Sequence, residues 1–231
     1  MTVDYPKFVK NIKCNPLPVG NTKYMYRECL TIDLDNDYTD NITFALMNPS
    51  DANEDNSDKT VNNCLLIAHH DLAHLKIGSV TVVNVHSYYE PKSFKLQETL
   101  TYMTKHHPEL HESIMESNKT AIYKALTDAE HIFLCTGNVP SSIKDKAAYR
   151  VLVRDIHRHI EAQDKPVFLC KGDKNKSFRG KGNLSHHLTP LVGYTNKAKK
   201  YTIRNAKFIE IPEEKEFKLT HFNAANKEKV V

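Results

Sequence analysis

Four short apolar runs recur along the chain, at "ITFALM" (42–47), "VTVVNV" (80–85), "HIFLC" (131–135) and "PVFLC" (166–170). Each run has the length of a strand, and a continuous apolar run is typical of a strand that is buried on both faces of a parallel sheet. The runs are separated by segments long enough to hold helices. They predict an α/β chain with a four-stranded, mainly parallel central sheet.

The segments between the runs have the spacing of amphipathic helices. Residues 57–76 place an apolar stripe on one helix face, with Ser57 or Asp58 as the N-cap. Two further helices are predicted over 108–128 and 142–163. Strands that alternate with helices predict a three-layer α/β/α domain, open and doubly wound, in which ligands bind beyond the carboxyl ends of the strands.

The flanking segments divide the chain into an N-terminal arm (1–22), the α/β domain (23–195) and a basic C-terminal extension (196–231). Within the domain, residues 23–35 alternate between apolar and polar side chains and predict an additional edge strand or hairpin arm with a structural role. Residues 207–211 predict one strand in the extension.

Composition narrows the class of protein. A length of 231 residues suits one domain that buries a core without disulfides, and a net charge of +4 permits a polyanionic partner but also fits any soluble protein. The five cysteines show no CxxC spacing, which favours a reducing compartment. No segment has the apolar length of a signal sequence or a membrane span, so we expect a cytoplasmic protein without a membrane partner.

Polar side chains follow each predicted strand. Asn48 comes after the first run, Asn84 lies within the second, Gly137 follows the third, and the pair His186 and His187 lies beyond the fourth. Because the carboxyl ends of parallel strands lie side by side, these residues are expected to converge on one crevice.

Each of these residues also has a structural explanation. Asn48 before Pro49 is typical of an ordinary turn. The apolar run around Asn84 continues through Val85, so the Asn84 amide should be buried, and its hydrogen-bond partners come either from the protein or from a ligand.

The histidines do not predict a metal site. His70 and His74 have the i, i+4 spacing of zinc ligands, but the glutamate of an HExxH motif is absent and both lie within a predicted helix. His157 and His159 are two positions apart on a helix and are expected to be solvated. We expect neither a metal nor another cofactor.

The loop over 171–181 is basic and contains glycine. Lys174, Lys176, Arg179 and Lys181 lie in it with a single acid, Asp173. Such a loop beside a crevice either holds phosphate or a nucleic-acid backbone, or is a mobile soluble segment.

The order of these motifs resembles the uracil-DNA glycosylase superfamily. "LMNPS", "VTVVNVHS" and "HLTPLV" stand where that superfamily has its water-positioning, base-reading and base-releasing motifs. The chain is also similar, over about residues 23–195, to an uncharacterised bacterial and phage family with the pattern "NPSTAD…DPT…vvNlf…HPL". The resemblance implies a uracil-DNA-glycosylase-like fold. The cysteine spacing of the superfamily's iron–sulfur branch is absent, so we expect no cluster.

The resemblance also implies roles for individual residues. Asn48 would hold the attacking water, Asn84 would read the base, and His187 would donate a hydrogen bond to the departing base. Leu191 would fill the space that the flipped base leaves in the DNA duplex. The small Ser50 would leave room for a substituent on the base. The expected site residues are Asn48 and His187 for catalysis, Asn84, Ser50, His86, Tyr88, Gly137 and Asn138 for base binding, and Lys174, Lys176, Arg179, Lys181, Thr189 and Leu191 for nucleic-acid contact.

Two functions from different classes follow. The first is hydrolysis of an N-glycosidic bond in DNA. Asparagine orients water but does not take its proton as a carboxylate does, so the substrate needs a better leaving group than uracil. A modified or mismatched pyrimidine meets this need and also leaves the base stack easily. The second is a non-catalytic nucleotide or nucleic-acid binding protein on the same fold, acting in conflict between phage and host. The partner is DNA or a nucleotide in either case, and the sequence does not predict the oligomeric state.

Overall fold

The computed structural model describes residues 2–14, 16–90, 93–139, 143–172, 177–180, 182–188 and 196–221. The strands in these ranges are β1 (Thr2–Val3), β2 (Val9–Cys14), β3 (Leu17–Pro18), β4 (Met25–Tyr26), β5 (Cys29–Leu34), β6 (Asp40–Leu46), β7 (Ser57–Asp58), β8 (Ile77–Asn84), β9 (His131–Leu134), β10 (Val167–Lys171), β11 (Lys197–Arg204), β12 (Lys207–Glu210) and β13 (Phe217–Lys218). The α-helices are α1 (Lys59–Leu66), α2 (Ser93–His106), α3 (Pro108–Asp128) and α4 (Lys146–Ala162).

One large sheet organises the chain, with the strand order β12-β11-β10-β9-β6-β8-β5-β2 and β13 paired to β11. The neighbours β10, β9, β6 and β8 run parallel, while the strands on either side of them are antiparallel. The chain is therefore a mixed α/β protein, as predicted. The main sheet has nine strands. The sequence predicts the four apolar runs, a strand within 23–35, which is β5, and a strand at 207–211, which is β12, whereas β2, β11 and β13 are not predicted.

The order of the parallel strands reverses beside β6. From β6 the chain passes to β8 on one side, and it later returns to β9 on the other side. In open α/β sheets the crevice at such a reversal is the usual place for a ligand. The reversal therefore singles out the carboxyl ends of β6, β8 and β9.

Helices cover both faces of the sheet. One apolar core joins α1 and the turn after it to one face, and a second core joins α3 and α4 to the other face. Asp58 caps α1, since its Oδ1 accepts from the backbone N–H groups of Thr60 at 2.7 Å and Val61 at 3.0 Å. Asp58 is one of the two N-caps that the sequence predicts.

The helix predictions hold with three corrections. The predicted helix over 57–76 is α-helical only from Lys59 to Leu66 and continues as a π-helical turn, Ile67–Asp71, and a 3-10 turn, Ala73–Leu75. The helix α2 was not predicted. The expectation that His157 is solvated is wrong, because that ring lies on the buried face of α4.

A third, smaller apolar cluster lies beside the strand ends. It joins α2 and α3 to two segments, one that contains Val19 after β3 and one that contains Tyr88 after β8. The cluster includes Leu96 and Met103 of α2. It therefore fixes the chain that leaves β8.

No α-helix within the described ranges is both long enough and apolar enough to cross a membrane. The five cysteines are free thiols.

Candidate functional site

The carboxyl ends of β6, β8 and β9 meet in one place. Leu46 is the register partner of Asn84, and the backbone N–H of His86 donates to the carbonyl of Met47 at 3.0 Å. The backbone N–H of Cys135 donates to the carbonyl of Ala45 at 2.9 Å. These bonds bring the segments after the three strands together, and we call Asn48, Asn84, His86, Gly137 and His187 the strand-end site.

The Asn84 amide is buried and has a defined direction. Its side chain is 1% exposed, and its Oδ1 accepts from Nη2 of Arg27 at 3.2 Å. Because a guanidinium only donates, the atom that faces Arg27 must be the oxygen. The amide nitrogen Nδ2 then points away from Arg27, and it has no partner among the described residues.

Arg27 is a buried arginine without an ion pair among the described residues. It is 1% exposed, its Nη1 donates to the carbonyl of Ala52 at 2.7 Å, and its guanidinium lies 5.4 Å from the ring centroid of Tyr89. Tyr89 also donates its hydroxyl to the Ala52 carbonyl. Sequence reasoning missed Arg27, because nothing local in the 23–35 segment distinguishes a buried arginine from an exposed one.

His86 is a neutral imidazole whose two ring nitrogens are unpaired. The side chain is 6% exposed, and burial lowers its pKa to about 4. Neither Nδ1 nor Nε2 has a hydrogen-bond partner in the described part of the chain. The ring lies 5.7 Å from that of Tyr149, whose hydroxyl donates to the carbonyl of Thr136 at 2.6 Å. A neutral imidazole offers one donor and one acceptor.

Gly137 and His187 are in contact beyond β9. Gly137 has a φ of +77°, and a Cβ at this position would lie 2.9 Å from Met47 Cε and 3.2 Å from the Cβ and Cδ2 of His187. The His187 side chain is exposed to solvent. The structure thus places a solvent-accessible imidazole beside the backbone turn at Gly137.

Asn48 and Ser50 make structural hydrogen bonds. Asn48 donates from Nδ2 to the carbonyl of Glu90, and Ser50 donates from Oγ to Asp58. Asp58 also accepts from the backbone N–H of Ala52 at 3.1 Å. The carboxylate next to this loop is therefore already occupied by the helix cap and the loop backbone.

The remaining predicted site residues make other contacts or lie outside the described residues. Tyr88 is buried in the third cluster, where its hydroxyl is 2.7 Å from Nδ1 of His111. Asn138 is exposed and lies close to Gly180, and Arg179 donates to the carbonyl of Phe208 at 3.5 Å. The residues outside the described ranges are Lys174, Lys176, Lys181, Thr189 and Leu191.

The described residues contain no group of three His, Cys, Asp or Glu side chains in a metal-binding arrangement. His70 instead stacks on His221, with ring centroids 4.5 Å apart, and His221 lies 3.0 Å from Asp71. This contact holds the end of the described chain against the π-helical turn.

A family model described as "Protein of unknown function (DUF1643)" matches residues 27–179. The match begins at Arg27 and spans the strand-end site as far as Gly137, while His187 lies beyond it. No curated protein and no solved structure matches the chain.

Proposed function

The chain belongs to the DUF1643 family, and we propose that it is a nucleobase-recognising protein that takes a modified or mismatched pyrimidine into the strand-end site. One observation carries the proposal: three buried nitrogens that have no partner among the described residues, Nδ2 of Asn84 and both ring nitrogens of His86, belong to the segment at the end of β8, where the strand order reverses. A buried polar atom without a partner costs about 1–3 kcal/mol, so a ligand that supplies partners is favoured there.

The direction of the Asn84 amide defines the ligand. Arg27 takes one lone pair of Oδ1, and Nδ2 has no partner among the described residues, so Nδ2 is the amide's free donor for a ligand. A donor requires an acceptor, and pyrimidines carry ring carbonyl oxygens. His86 adds one donor and one acceptor for a neighbouring ring nitrogen or exocyclic group. The free atoms of the site therefore complement a carbonyl-bearing edge.

Hydrolysis of the N-glycosidic bond is the reaction that this site would support. Negative charge moves onto the departing base in that reaction, and a fixed donor beside the base stabilises it. The exposed His187 next to Gly137 supports this role, because its ring is accessible to a bound base. Asn48 would orient the water through Oδ1, since its Nδ2 is bound to Glu90.

Binding without catalysis is the second candidate. Asp58, the carboxylate next to the 48–52 loop, accepts hydrogen bonds from Ser50, Ala52, Thr60 and Val61. A carboxylate with these partners is a poor general base, and asparagine is none. This observation favours a protein that reads a base without cleaving its bond.

The test uses free nucleosides and then DNA. Binding of uridine, 5-substituted uridines and cytidine is measured by NMR titration on the wild type and on Asn84→Asp. Loss of binding in the variant supports the proposal. Equal binding by both proteins, or no binding of any base, overturns it, because the unpaired nitrogens would then be satisfied by buried water.

The same bases in duplex DNA distinguish the two candidates. Treatment with hot alkali after incubation reveals abasic sites. Strand cleavage that is lost in His187→Gln supports hydrolysis, whereas binding without cleavage supports the non-catalytic candidate.

A further inference from the structure

Three arginines recur at every fourth position of α4. Arg150, Arg154 and Arg158 are all exposed. Helical residues four positions apart differ by about 40° around the axis and about 6 Å along it, so the three form one stripe about 12 Å long. We call these three residues the arginine stripe.

The stripe is weakly neutralised. Within the described ranges, Arg150 and Arg154 form no ion pair, and Arg158 pairs only with Asp155, at 3.4 Å on the surface. An exposed pair of this kind contributes about 0–1 kcal/mol and leaves the cation accessible. The positive charge of the stripe is therefore available to a partner.

A surface cleft of about 540 Å³ runs along the stripe. Arg154 and Arg158 line one wall, and Lys207 lines the other, next to the turn that joins β11 to β12. The second wall is fixed in place, because Asn183 donates from Nδ2 to the carbonyl of Ala206 at 3.0 Å. The cleft thus has a cation on each wall, and hydrogen bonding holds the second wall in position.

The one carboxylate among the described lining residues is already bound. Glu161 accepts from the backbone N–H groups of Asn205 at 2.6 Å and Ala206 at 2.9 Å, and these bonds lower its pKa. Glu161 lies on α4 three residues after Arg158 and keeps its negative charge, so it offsets one of the three cations. Three cations and one carboxylate therefore line the cleft, which leaves an excess of two positive charges.

The stripe begins beside the strand-end site. Arg150 follows Tyr149, whose hydroxyl reaches Thr136 at the end of β9 and whose ring lies beside His86. A Cβ on Gly182 would lie 4.0 Å from Nε of Arg150, so the stripe also adjoins the segment that leads to His187. A polymer bound along the stripe would pass next to the strand-end site.

We propose that the arginine stripe and Lys207 bind the phosphodiester backbone of the DNA whose base is read in the strand-end site. One strand of a duplex carries a phosphate about every 3.4 Å along the axis, so a stripe of about 12 Å faces about three or four phosphates. Arginine suits this partner because its planar fork binds two phosphate oxygens at once. The inference rests on the proposed function, to which it adds the backbone contacts.

The test measures the salt dependence of DNA binding. The double variant Arg150→Gln, Arg154→Gln and the wild type are titrated with a fluorescent DNA duplex between about 50 and 200 mM salt. Each lost phosphate contact reduces the slope of log K against log salt by about 0.9, so we expect the variant slope to be flatter by about two. Both substituted residues are exposed, so the melting temperature should stay unchanged.

A matched control separates the stripe from net charge. Lys10→Gln with Lys13→Gln removes the same charge from exposed positions on β2, at the opposite edge of the sheet. We expect its slope to match the wild type. An equal decrease of the salt slope in both double variants would overturn the proposal. Binding of polyglutamate that depends on the arginines as strongly as DNA binding does would overturn it as well.

The two proposals fail in different ways. Free nucleosides carry no phosphate, so their binding tests the strand-end site alone. If nucleosides do not bind but the salt slope depends on the arginines, base recognition is refuted and DNA binding by the arginine stripe is retained. If nucleosides bind and the salt slope of the double variant equals that of the wild type, DNA binding by the arginine stripe is refuted and base recognition is retained.

Discussion

Arg27 donates from Nη2 to Oδ1 of Asn84 at 3.2 Å, and both side chains are buried. This contact sets the direction of an amide that would otherwise be free to turn over. It also places a positive charge beside the predicted base-reading residue. The consequences for ligand choice and for stability can be separated by substitution.

Asn84→Asp is expected to keep the fold and to lose the ligand. The new carboxylate gains the Arg27 guanidinium as a partner, whereas the only free donor of the amide is replaced by an acceptor. Affinity for a carbonyl-bearing base should fall about tenfold or more, with a melting temperature close to the wild type. Calorimetry and nucleoside titration on the same protein check both points.

The control adds Arg27→Met to Asn84→Asp. The carboxylate is then buried without its partner, which is strongly destabilising. A double variant as stable as Asn84→Asp alone would contradict the role of Arg27 as the counter-charge.

Arg27→Lys is expected to destabilise the protein although the charge is kept. A lysine lacks the fork that reaches both Ala52 and Asn84, and a buried acceptor left without a donor costs about 1–3 kcal/mol of unfolding free energy. Urea unfolding measures the loss. Arg204→Lys is the control, since Arg204 forms an exposed pair with Asp164 and should change the unfolding free energy by less than about 1 kcal/mol.

Two buried histidines predict a loss of stability in mild acid. Burial lowers the pKa of His86 and His157 to about 4, from an ordinary value of 6.5. Between these values the unfolded chain binds more protons than the folded chain. Stability should therefore be fully retained above about pH 6.5 and should fall towards pH 4 by at most about 1.4 kcal/mol per pH unit for each histidine.

His157→Gln should make this pH dependence shallower. Glutamine does not titrate and can still donate to the carbonyl of Ala206 that faces His157 Nδ1 at 3.3 Å. Urea unfolding at several pH values measures the slope, and the exposed His74→Gln is the control that should leave it unchanged. A slope identical in all three proteins would contradict the prediction.

Gly137→Ala should disturb the strand-end site. The new Cβ would approach Met47 and His187 too closely, and a φ of +77° is unfavourable for alanine. We expect a stability loss of about 1 kcal/mol or more together with weaker nucleoside binding. Gly20→Ala shares the positive φ, at +52°, but contacts only Leu110, so it should lose stability without losing affinity.

The sequence predicts the centre of the fold better than its edges. The four apolar runs become β6, β8, β9 and β10, because strands buried on both faces leave an unbroken apolar pattern. The edge strand β2 mixes exposed and half-buried positions and leaves no such pattern. The helix α2 does carry a signal, in the spacing of Leu96, Leu100 and Met103, which was overlooked.

The strand-end site is less predictable than the fold. The burial of Asn84 follows from the apolar residues around it, and the structure shows that burial. Its hydrogen bond to Arg27 joins residues 57 positions apart and depends on how β5 lies beside β8. No local pattern contains that information, and the same holds for the two unpaired nitrogens of His86.

The order in which the sheet is completed has a consequence for synthesis of the chain. Once Lys171 has left the ribosome, all four parallel strands exist, but β10 has an open edge until Lys197–Arg204 emerges. An open, apolar edge strand is a template for pairing with other chains. The antiparallel strand β11 thus covers the open edge of β10. A translation product truncated before residue 197 would lack this strand and would be prone to edge-to-edge aggregation.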